Sequence, residues 1–230
     1  MIVKTSGIVL RTVKYSDKAS RVSYMVYGIH GKKSANQSAG FLPLSLIEFT
    51  ANHLPNKDIQ TIKETKITTN LSGIHSNPLK STIALFLAEL LYKTLNHPEP
   101  EPALFVFLQE SVVFLNQTRD EIANFHLVFA MQLCKYLGIQ PNGDKENPVY
   151  FDMMNGVFSG QAPPHKHVLH PDLTQKFILL THLSYEEANE LQLSRKTRQD
   201  LLDAIITYYK LHISGFYGLN ALGVLKEIFD

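Results

Sequence analysis

The sequence predicts an α+β protein in which a small β-barrel or sandwich precedes an all-α helical bundle. In the first third of the chain, short β-branched and aromatic segments alternate in polarity. After residue 76 the apolar residues recur with helical spacing. The charge divides at a similar place: residues 1–80 carry 11 Lys/Arg and 4 Asp/Glu, a formal charge of +7, whereas the whole chain is +1. We therefore expect two modules with different partners, at residues 1–72 and 76–230.

Four segments of the first module have strand character, because β-branched and aromatic residues suit a pleated, half-buried surface. They are GIVLRTVKY (7–15), RVSYMV (21–26), LIEFTAN (46–52) and DIQTIKETKITT (58–69). The third segment alternates most clearly, with Ile47, Phe49 and Ala51 separated by polar residues. Stretches rich in turn-forming residues, 28–40 and 52–58, separate these strands.

The second module begins with Asn77-Pro78, a pair typical of a helix N-cap and first position. The next residues form one apolar helix face: Ile83, Phe86, Leu87, Leu90 and Leu91. Prolines between residues 96 and 102 end this helix.

Segments 103–117 and 121–138 are apolar on most sides and are predicted to lie inside the bundle, with Gly138 ending the second. An irregular stretch rich in Gly, Pro and Asn follows, and helices resume after Pro171. Ser184 and Glu187 fit a capping box. The next helix has an apolar stripe of Leu201, Leu202, Ile205, Ile206 and Tyr209.

Several function classes find no support in the sequence. Neither a phosphate-cradling glycine loop nor a G-x-S-x-G elbow occurs, so we expect no enzyme and no cofactor. No apolar stretch is long enough to span a bilayer and no signal peptide is visible, which predicts a cytoplasmic protein without membrane contact. The single cysteine, Cys134, lies in an apolar helical pattern and is predicted to be a buried structural thiol.

Three histidines lie close together at His165, His167 and His170 and could bind zinc. Prolines flank them, so no regular helix or strand places them on one face, and solvated loop histidines are the favoured interpretation. We therefore predict no metal site. The acids Asp152, Glu186 and Glu187 are interpreted as turn and helix-start residues.

The first 33 residues hold seven positive side chains and one acid, Asp17. Cations along a small barrel with tyrosines nearby (Tyr15, Tyr24, Tyr27) suit single-stranded nucleic acid. Lysines on strand edges can also serve only to block aggregation, and tyrosines can be core residues. We predict contacts to a nucleic-acid backbone from Arg11, Lys14, Lys18, Arg21, Lys32 and Lys33, with Lys4 as a weaker candidate.

An ordered set of segments resembles the RecO family of recombination mediators over nearly the whole chain. These segments are GIVLRTVKYSD, LPLSLIEF, IKETK, IALFLAELLYKTL, PALFVFLQESVVFL, NFHLVFAMQLCKYLGIQPN, YFDMMNGVF, YYKLHISGF and LKEIF. The resemblance implies an N-terminal OB-fold and a helical C-terminal domain. It also implies binding to single- and double-stranded DNA, strand annealing, and contact with RecR and with the C-terminal tail of single-strand-binding protein. RecA would be a partner indirectly, and the protein would be nucleoid-associated.

This chain departs from the family in two ways. Many members carry four zinc-binding cysteines after the third core helix, whereas residues 139–171 contain none. We therefore expect a zinc-less member whose loop packs through Tyr150, Phe151, Met153, Met154 and Phe158. The chain is also about a dozen residues short near the second strand. Either the barrel lacks a strand or residues are absent between Ser20 and Arg21.

The pocket for the acidic tail stays open at this point, because either Lys135 or the cluster Arg195, Lys196 and Arg198 could supply its cation. A second hypothesis is an adaptor, with a β-barrel joined to a helical protein-interaction domain, that binds no nucleic acid.

Overall fold

The structure is a computed structural model that describes residues 2–16, 19–26, 31–35, 41–52, 59–95, 101–119, 121–143 and 148–228. The chain packs as two compact units, residues 1–118 and 119–230. The predicted boundary at residues 72–76 marks the change from strands to helices. As a division into separate domains it stays a prediction. No helix in the described ranges has the length and apolar character needed to cross a membrane.

Within the described ranges, the first unit begins with the strands β1 Ile2–Ser16, β2 Ala19–Val26, β3 Gly31–Ala35, β4 Leu46–Asn52 and β5 Ile59–Ile67. β1 pairs antiparallel with β2 and with β4, β2 with β3, and β4 with β5. β3 and β5 run parallel. The order β1-β2-β3-β5-β4 therefore returns to its first strand. The prediction of N-terminal strands followed by helices is confirmed.

One of these strands lies where the sequence predicted a turn. Gly31–Ala35 forms β3 because its backbone pairs with β2 on one side and β5 on the other, which outweighs its weak strand propensity. β2 is consequently the second strand of the ladder. Ser20 and Arg21 pair in unbroken register with Lys14 and Val13 of β1. The pairing of β1 with β2 therefore has no interruption between Ser20 and Arg21.

The strands enclose a cluster of buried residues: Val9, Ile47, Phe49, Ala51 and Ile62, with Phe41 partly buried against it. The predicted inward alternation of β4 is thereby confirmed. β1 behaves differently, since Ile8, Val9 and Leu10 are consecutive and all buried. Its pairing with β2 shifts register between Val9 and Arg11, and a bulge of this kind breaks the two-residue alternation.

The described residues of the first unit also form the helices α1 Ser72–His75, α2 Pro78–Thr94 and α3 Pro102–Gln117. The Asn77 side chain caps α2 by accepting hydrogen bonds from the Leu79 and Lys80 N–H groups, as the Asn-Pro pair predicted. The whole predicted stripe of α2 is buried. α2 packs against β1, so it is fixed beside the strand that carries Arg11.

The second unit contains α4 Phe125–Tyr136, α5 Pro171–Leu180, α6 Tyr185–Glu190, α7 Arg195–His212 and α8 Ala221–Ile228. Gly138 has a φ of 70°, the left-handed conformation that ends a helix and favours glycine. Ser184 and Glu187 form the predicted capping box. The predicted stripe of α7 is buried in full.

The stretch predicted to be irregular contains a small sheet in the order β6-β8-β7-β9. Its strands are β6 Asn142–Gly143, β7 Tyr150–Asp152, β8 Val157–Ser159 and β9 Val168–Leu169. Phe151 lies 4.7 Å from Phe158 and 4.8 Å from Phe177, measured between ring centroids. Met153 is buried, but Met154 is 48% exposed, so the expectation that Met154 packs in this core was wrong.

Candidate nucleic-acid interface

Five predicted contact residues lie on three adjacent strands. Arg11 of β1 is in register with Ser23 of β2, which pairs with Lys32 of β3. The next rows along the ladder are Thr12–Val22–Lys33, Val13–Arg21–Ser34 and Lys14–Ser20–Ala35. Four rows span about 10 Å along the strands, and three strands span about 10 Å across them. The backbones of Arg11, Lys14, Arg21, Lys32 and Lys33 therefore lie within one small area, which we call the basic ladder.

The other two candidates differ from this group. Lys4 lies toward the other end of β1, in register with Thr50 of β4. Its Nζ atom is 3.9 Å from Glu48 Oε2, and both side chains are exposed, so a nearby carboxylate offsets its charge. Lys18 lies outside the described residues.

Arg11 is exposed, and its guanidinium carbon lies 5.4 Å from the ring centroid of Tyr92 on α2. This is within the range of a cation–π contact. Since the ring is neutral, this contact does not offset the positive charge of Arg11.

The tyrosines that were expected to accompany the cations lie along the same strands. Tyr15 is in β1, and Tyr24 of β2 pairs with Val9 of β1 and Gly31 of β3. Tyr27 lies outside the described residues. A role for these rings in base stacking stays a prediction.

The histidine segment of the second unit makes contacts within the small sheet. His165 Nε2 lies 3.2 Å from Asp152 Oδ1. The rings of His165 and His167 are 6.5 Å apart, while His170 contacts the Tyr150 ring edge-on. Among the residues that the structure describes, no three His, Cys, Asp or Glu side chains come together as metal ligands.

Asp152 orders the β7–β8 turn, as its interpretation as a turn residue predicted. Its Oδ1 accepts hydrogen bonds from the N–H groups of Met154 and Asn155, at 2.9 and 3.0 Å. Burial alone would raise the pKa of Asp152, but the Asn155 side chain and backbone, His165 and the Met154 N–H together hold it below its ordinary value. A carboxylate of this kind stays ionised and is unsuited to proton transfer near neutral pH.

Cys134 is fully buried, and its thiol donates a hydrogen bond to the Ala130 carbonyl oxygen at 3.4 Å. Burial raises the pKa of this thiol to about 12. The prediction of a buried structural cysteine is confirmed.

The cations considered for binding the acidic tail differ in burial and in hydrogen bonding. Arg198 donates from Nε to Asn124 Oδ1 at 3.0 Å and from Nη2 to the Leu193 carbonyl oxygen at 3.3 Å. These bonds fix the segment between α6 and α7. Burial lowers the pKa of Arg198, and Glu121 opposes that shift.

A cavity of about 320 Å³ adjoins Arg198, and it is also lined by Glu121 and Glu190. An incoming carboxylate would meet these two acids, which disfavours an acidic tail there. Arg195, Lys196 and Lys135 are exposed, and Lys135 Nζ lies 5.9 Å from the Tyr136 ring centroid.

Sequence reasoning missed Tyr92. The one local signal was that this aromatic residue falls outside the apolar stripe of its helix, which ends in Leu90 and Leu91. Its contact with Arg11 joins two segments about 80 residues apart, and no local pattern reports such a contact.

Comparison with known proteins adds an independent finding. The family model described as Recombination protein O C terminal matches residues 75–219. A protein named DNA repair protein RecO from Bacteroides fragilis is 38% identical over 242 residues, which cover 100% of each chain. Proteins of the same name from Phocaeicola vulgatus and Flavobacterium psychrophilum are 36% and 35% identical, again over 100% of both chains.

Proposed function

We propose that this chain, which belongs to the RecO family of DNA repair proteins, binds single- and double-stranded DNA through the basic ladder. It would also anneal complementary strands. The observation that carries the proposal is the gathering of five cations on β1, β2 and β3. Rows two apart share a face of a ladder, so Arg11, Arg21 and Lys32 are placed to meet one phosphate chain, while Lys14 and Lys33 lie in the alternate rows. We also propose that the protein helps to load RecA onto DNA coated with single-strand-binding protein.

The proposed mechanism has no covalent step. Each Lys or Arg that neutralises a phosphate releases condensed counterions, and this release favours binding at low salt. Three contacts to a single strand give a slope of about −2 in log K against log salt concentration. Affinity would then fall about 20-fold between 50 and 200 mM salt. Annealing follows because one cationic surface screens the repulsion between two polyanions.

We assign the β-module to the OB-fold on the basis of its strand order. OB-folds are five-stranded Greek-key barrels that bind oligonucleotides on the face of strands 2 and 3 and the adjoining loops. The order β1-β2-β3-β5-β4 with β1 next to β4 supports this assignment. The basic ladder includes β2 and β3, where such a fold binds its ligand.

The proposed protein partners are RecR and the acidic C-terminal tail of single-strand-binding protein, with RecA acting downstream. The tail needs an apolar surface edged by a cation that no acid offsets. The cavity beside Arg198 meets that requirement poorly, because it is edged by Glu121 and Glu190, which leaves Lys135, or Arg195 and Lys196, to supply the cation. Such a protein would work in the cytoplasm, together with the nucleoid.

The test is a fluorescence titration of labelled oligo-dT with the full-length protein at several salt concentrations. We expect binding that weakens steeply as salt rises, together with faster annealing of complementary oligonucleotides. An adaptor that binds no nucleic acid would give no signal with oligo-dT and salt-insensitive binding to its partner. Absence of binding at 50 mM salt would contradict the proposal.

A further inference from the structure

The contact of Arg11 with Tyr92 differs from the contact of Lys4 with Glu48 in the charge of the partner. The Lys4 amine lies beside a carboxylate, Glu48, at 3.9 Å. The Arg11 guanidinium lies over a neutral ring at 5.4 Å from its centroid. In the described part of the chain, Arg11 forms no ion pair with any carboxylate. Among the residues that the structure describes, a phosphate would therefore compete with an acid at Lys4 but not at Arg11.

An aromatic ring is a suitable support for an arginine that binds phosphate. The ring attracts the guanidinium through its flat face. The N–H donors of the guanidinium point outward in its plane and can form two parallel hydrogen bonds to one phosphate. The aromatic ring thus contacts the face of the guanidinium, and the phosphate binds its edge. A carboxylate support would occupy those donors and cancel the charge.

Tyr92 is held firmly enough to provide such support. It lies in the last turn of α2, and its neighbours Leu90 and Leu91 are buried. α2 packs on β1, and the Tyr92 ring is half-buried. A ring held in this way restricts the flexible Arg11 side chain before DNA arrives, which lowers the entropy lost on binding.

We propose that Tyr92 is a positioning residue of the DNA-binding surface, which holds the Arg11 guanidinium so that its edge binds a DNA phosphate. This proposal rests on the proposed function and deepens it, because it extends the working surface from the strands onto α2. Arg11 is the phosphate contact, and Tyr92 acts through Arg11.

The experiment is a double-mutant cycle in the full-length protein, with oligo-dT binding measured over a salt series. The variants are Arg11→Ala, Tyr92→Leu, their combination, and Tyr92→Phe. Tyr217→Leu is the control, because Tyr217 is 90% exposed and lies in the second unit. A urea titration of each variant establishes that it is folded. Should Tyr92→Leu fail to fold, Tyr92→Met gives the same reading.

Tyr92→Leu is expected to weaken binding about threefold to tenfold and to reduce the salt slope toward that of Arg11→Ala. Tyr92→Phe keeps the ring and should bind within about twofold of the wild type. In the Arg11→Ala background, Tyr92→Leu should have no further effect, because the residue it supports is gone.

Two results would overturn this inference alone. One is wild-type affinity in Tyr92→Leu while Arg11→Ala is weakened. The other is an equal loss from Tyr92→Leu with and without Arg11, which would mean that Tyr92 contacts DNA directly. Failure of the wild-type protein to bind oligo-dT would instead overturn the proposed function and this inference with it.

Discussion

The Lys80 side-chain amine donates a hydrogen bond to the Thr118 carbonyl oxygen at 2.6 Å. It also donates to the Asn116 carbonyl oxygen at 3.3 Å. Both carbonyls lie at the C-terminal end of α3, where backbone acceptors lack partners within the helix and a cation favours the dipole. Lys80 is only 7% exposed. It therefore joins α2 to α3 and is not part of the basic ladder, although it counts toward the positive charge of residues 1–80.

Replacing Lys80 with methionine keeps the apolar stem and removes the amine. Two carbonyl oxygens then lose a charged donor, so we expect the free energy of unfolding to fall by about 2 kcal/mol. Urea denaturation followed by circular dichroism measures this change. Lys66→Met, at an exposed position of β5, is the matched control and should change stability by less than about 0.5 kcal/mol. Equal losses of unfolding free energy in the two variants would argue against a stabilising role of the Lys80 hydrogen bonds to the end of α3.

Gly73 in α1 faces the same helix end. A Cβ atom on Gly73 would overlap the Asn116 carbonyl oxygen, a backbone atom that cannot move aside cheaply. Gly73→Ala should therefore destabilise the protein by about 1–3 kcal/mol. Gly223→Ala in α8 is the control, because nothing lies within 4 Å of its Cβ position. There the change should be neutral or slightly stabilising. Thermal unfolding of both variants compares them, and a stable Gly73→Ala protein would refute the predicted overlap.

The double variant Lys32→Ala/Lys33→Ala should bind single-stranded DNA more weakly than the wild type. Each lost phosphate contact reduces the steepness of log K against log salt by about 0.7. Lys4→Ala should change the slope less, because Glu48 already offsets that charge. Lys166→Ala/Lys210→Ala removes two exposed lysines from the second unit and serves as the charge-matched control. An unchanged slope in the Lys32/Lys33 variant would reject these two residues as contacts.

His126 makes stability depend on pH. Burial, and secondarily the positive charge of Arg198, lowers the pKa of His126 to about 3. The unfolded chain takes up a proton near pH 6.5, whereas the folded protein does so only near pH 3. The unfolded state therefore binds more protons in this interval, and acidification from pH 6.5 toward 3 removes stability, by at most about 1.4 kcal/mol per pH unit.

Urea denaturation at a series of pH values measures this dependence. His126→Leu should flatten the profile between pH 6.5 and 3, whatever its stability at neutral pH. His182→Gln, at an exposed position, should leave the slope as in the wild type. A wild-type slope in His126→Leu would show that other groups cause the acid sensitivity.

The helices could be predicted from the sequence because their signals are local. Asn77 caps α2, as the Asn77-Pro78 pair predicted, and the apolar stripes of α2 and α7 are buried, as their spacing predicted. The grouping of the basic residues could also be predicted from the sequence. Arg11, Lys14 and Arg21 are close in sequence, and a short connection between β1 and β2 places them side by side.

The missed elements depend on partners that are distant in the chain. Gly31–Ala35 has little strand propensity and becomes β3 only through pairing with β2 and β5. The strands of the small sheet, such as Val157–Ser159, are two or three residues long, too short for alternation to be visible. The ring contact of Tyr92 with Arg11 is equally invisible in local patterns.

The bulge beside Val9 constrains how this segment can evolve. Residues 2–8 of β1 pair with β4 and residues 7–16 pair with β2, so the bulge lies inside the part that pairs with β2. Substitutions along β1 change single side chains, whereas a one-residue insertion or deletion beside the bulge would reverse the face of every later position up to Lys14. Selection should therefore remove insertions and deletions in this part of β1 even where it tolerates many amino-acid replacements.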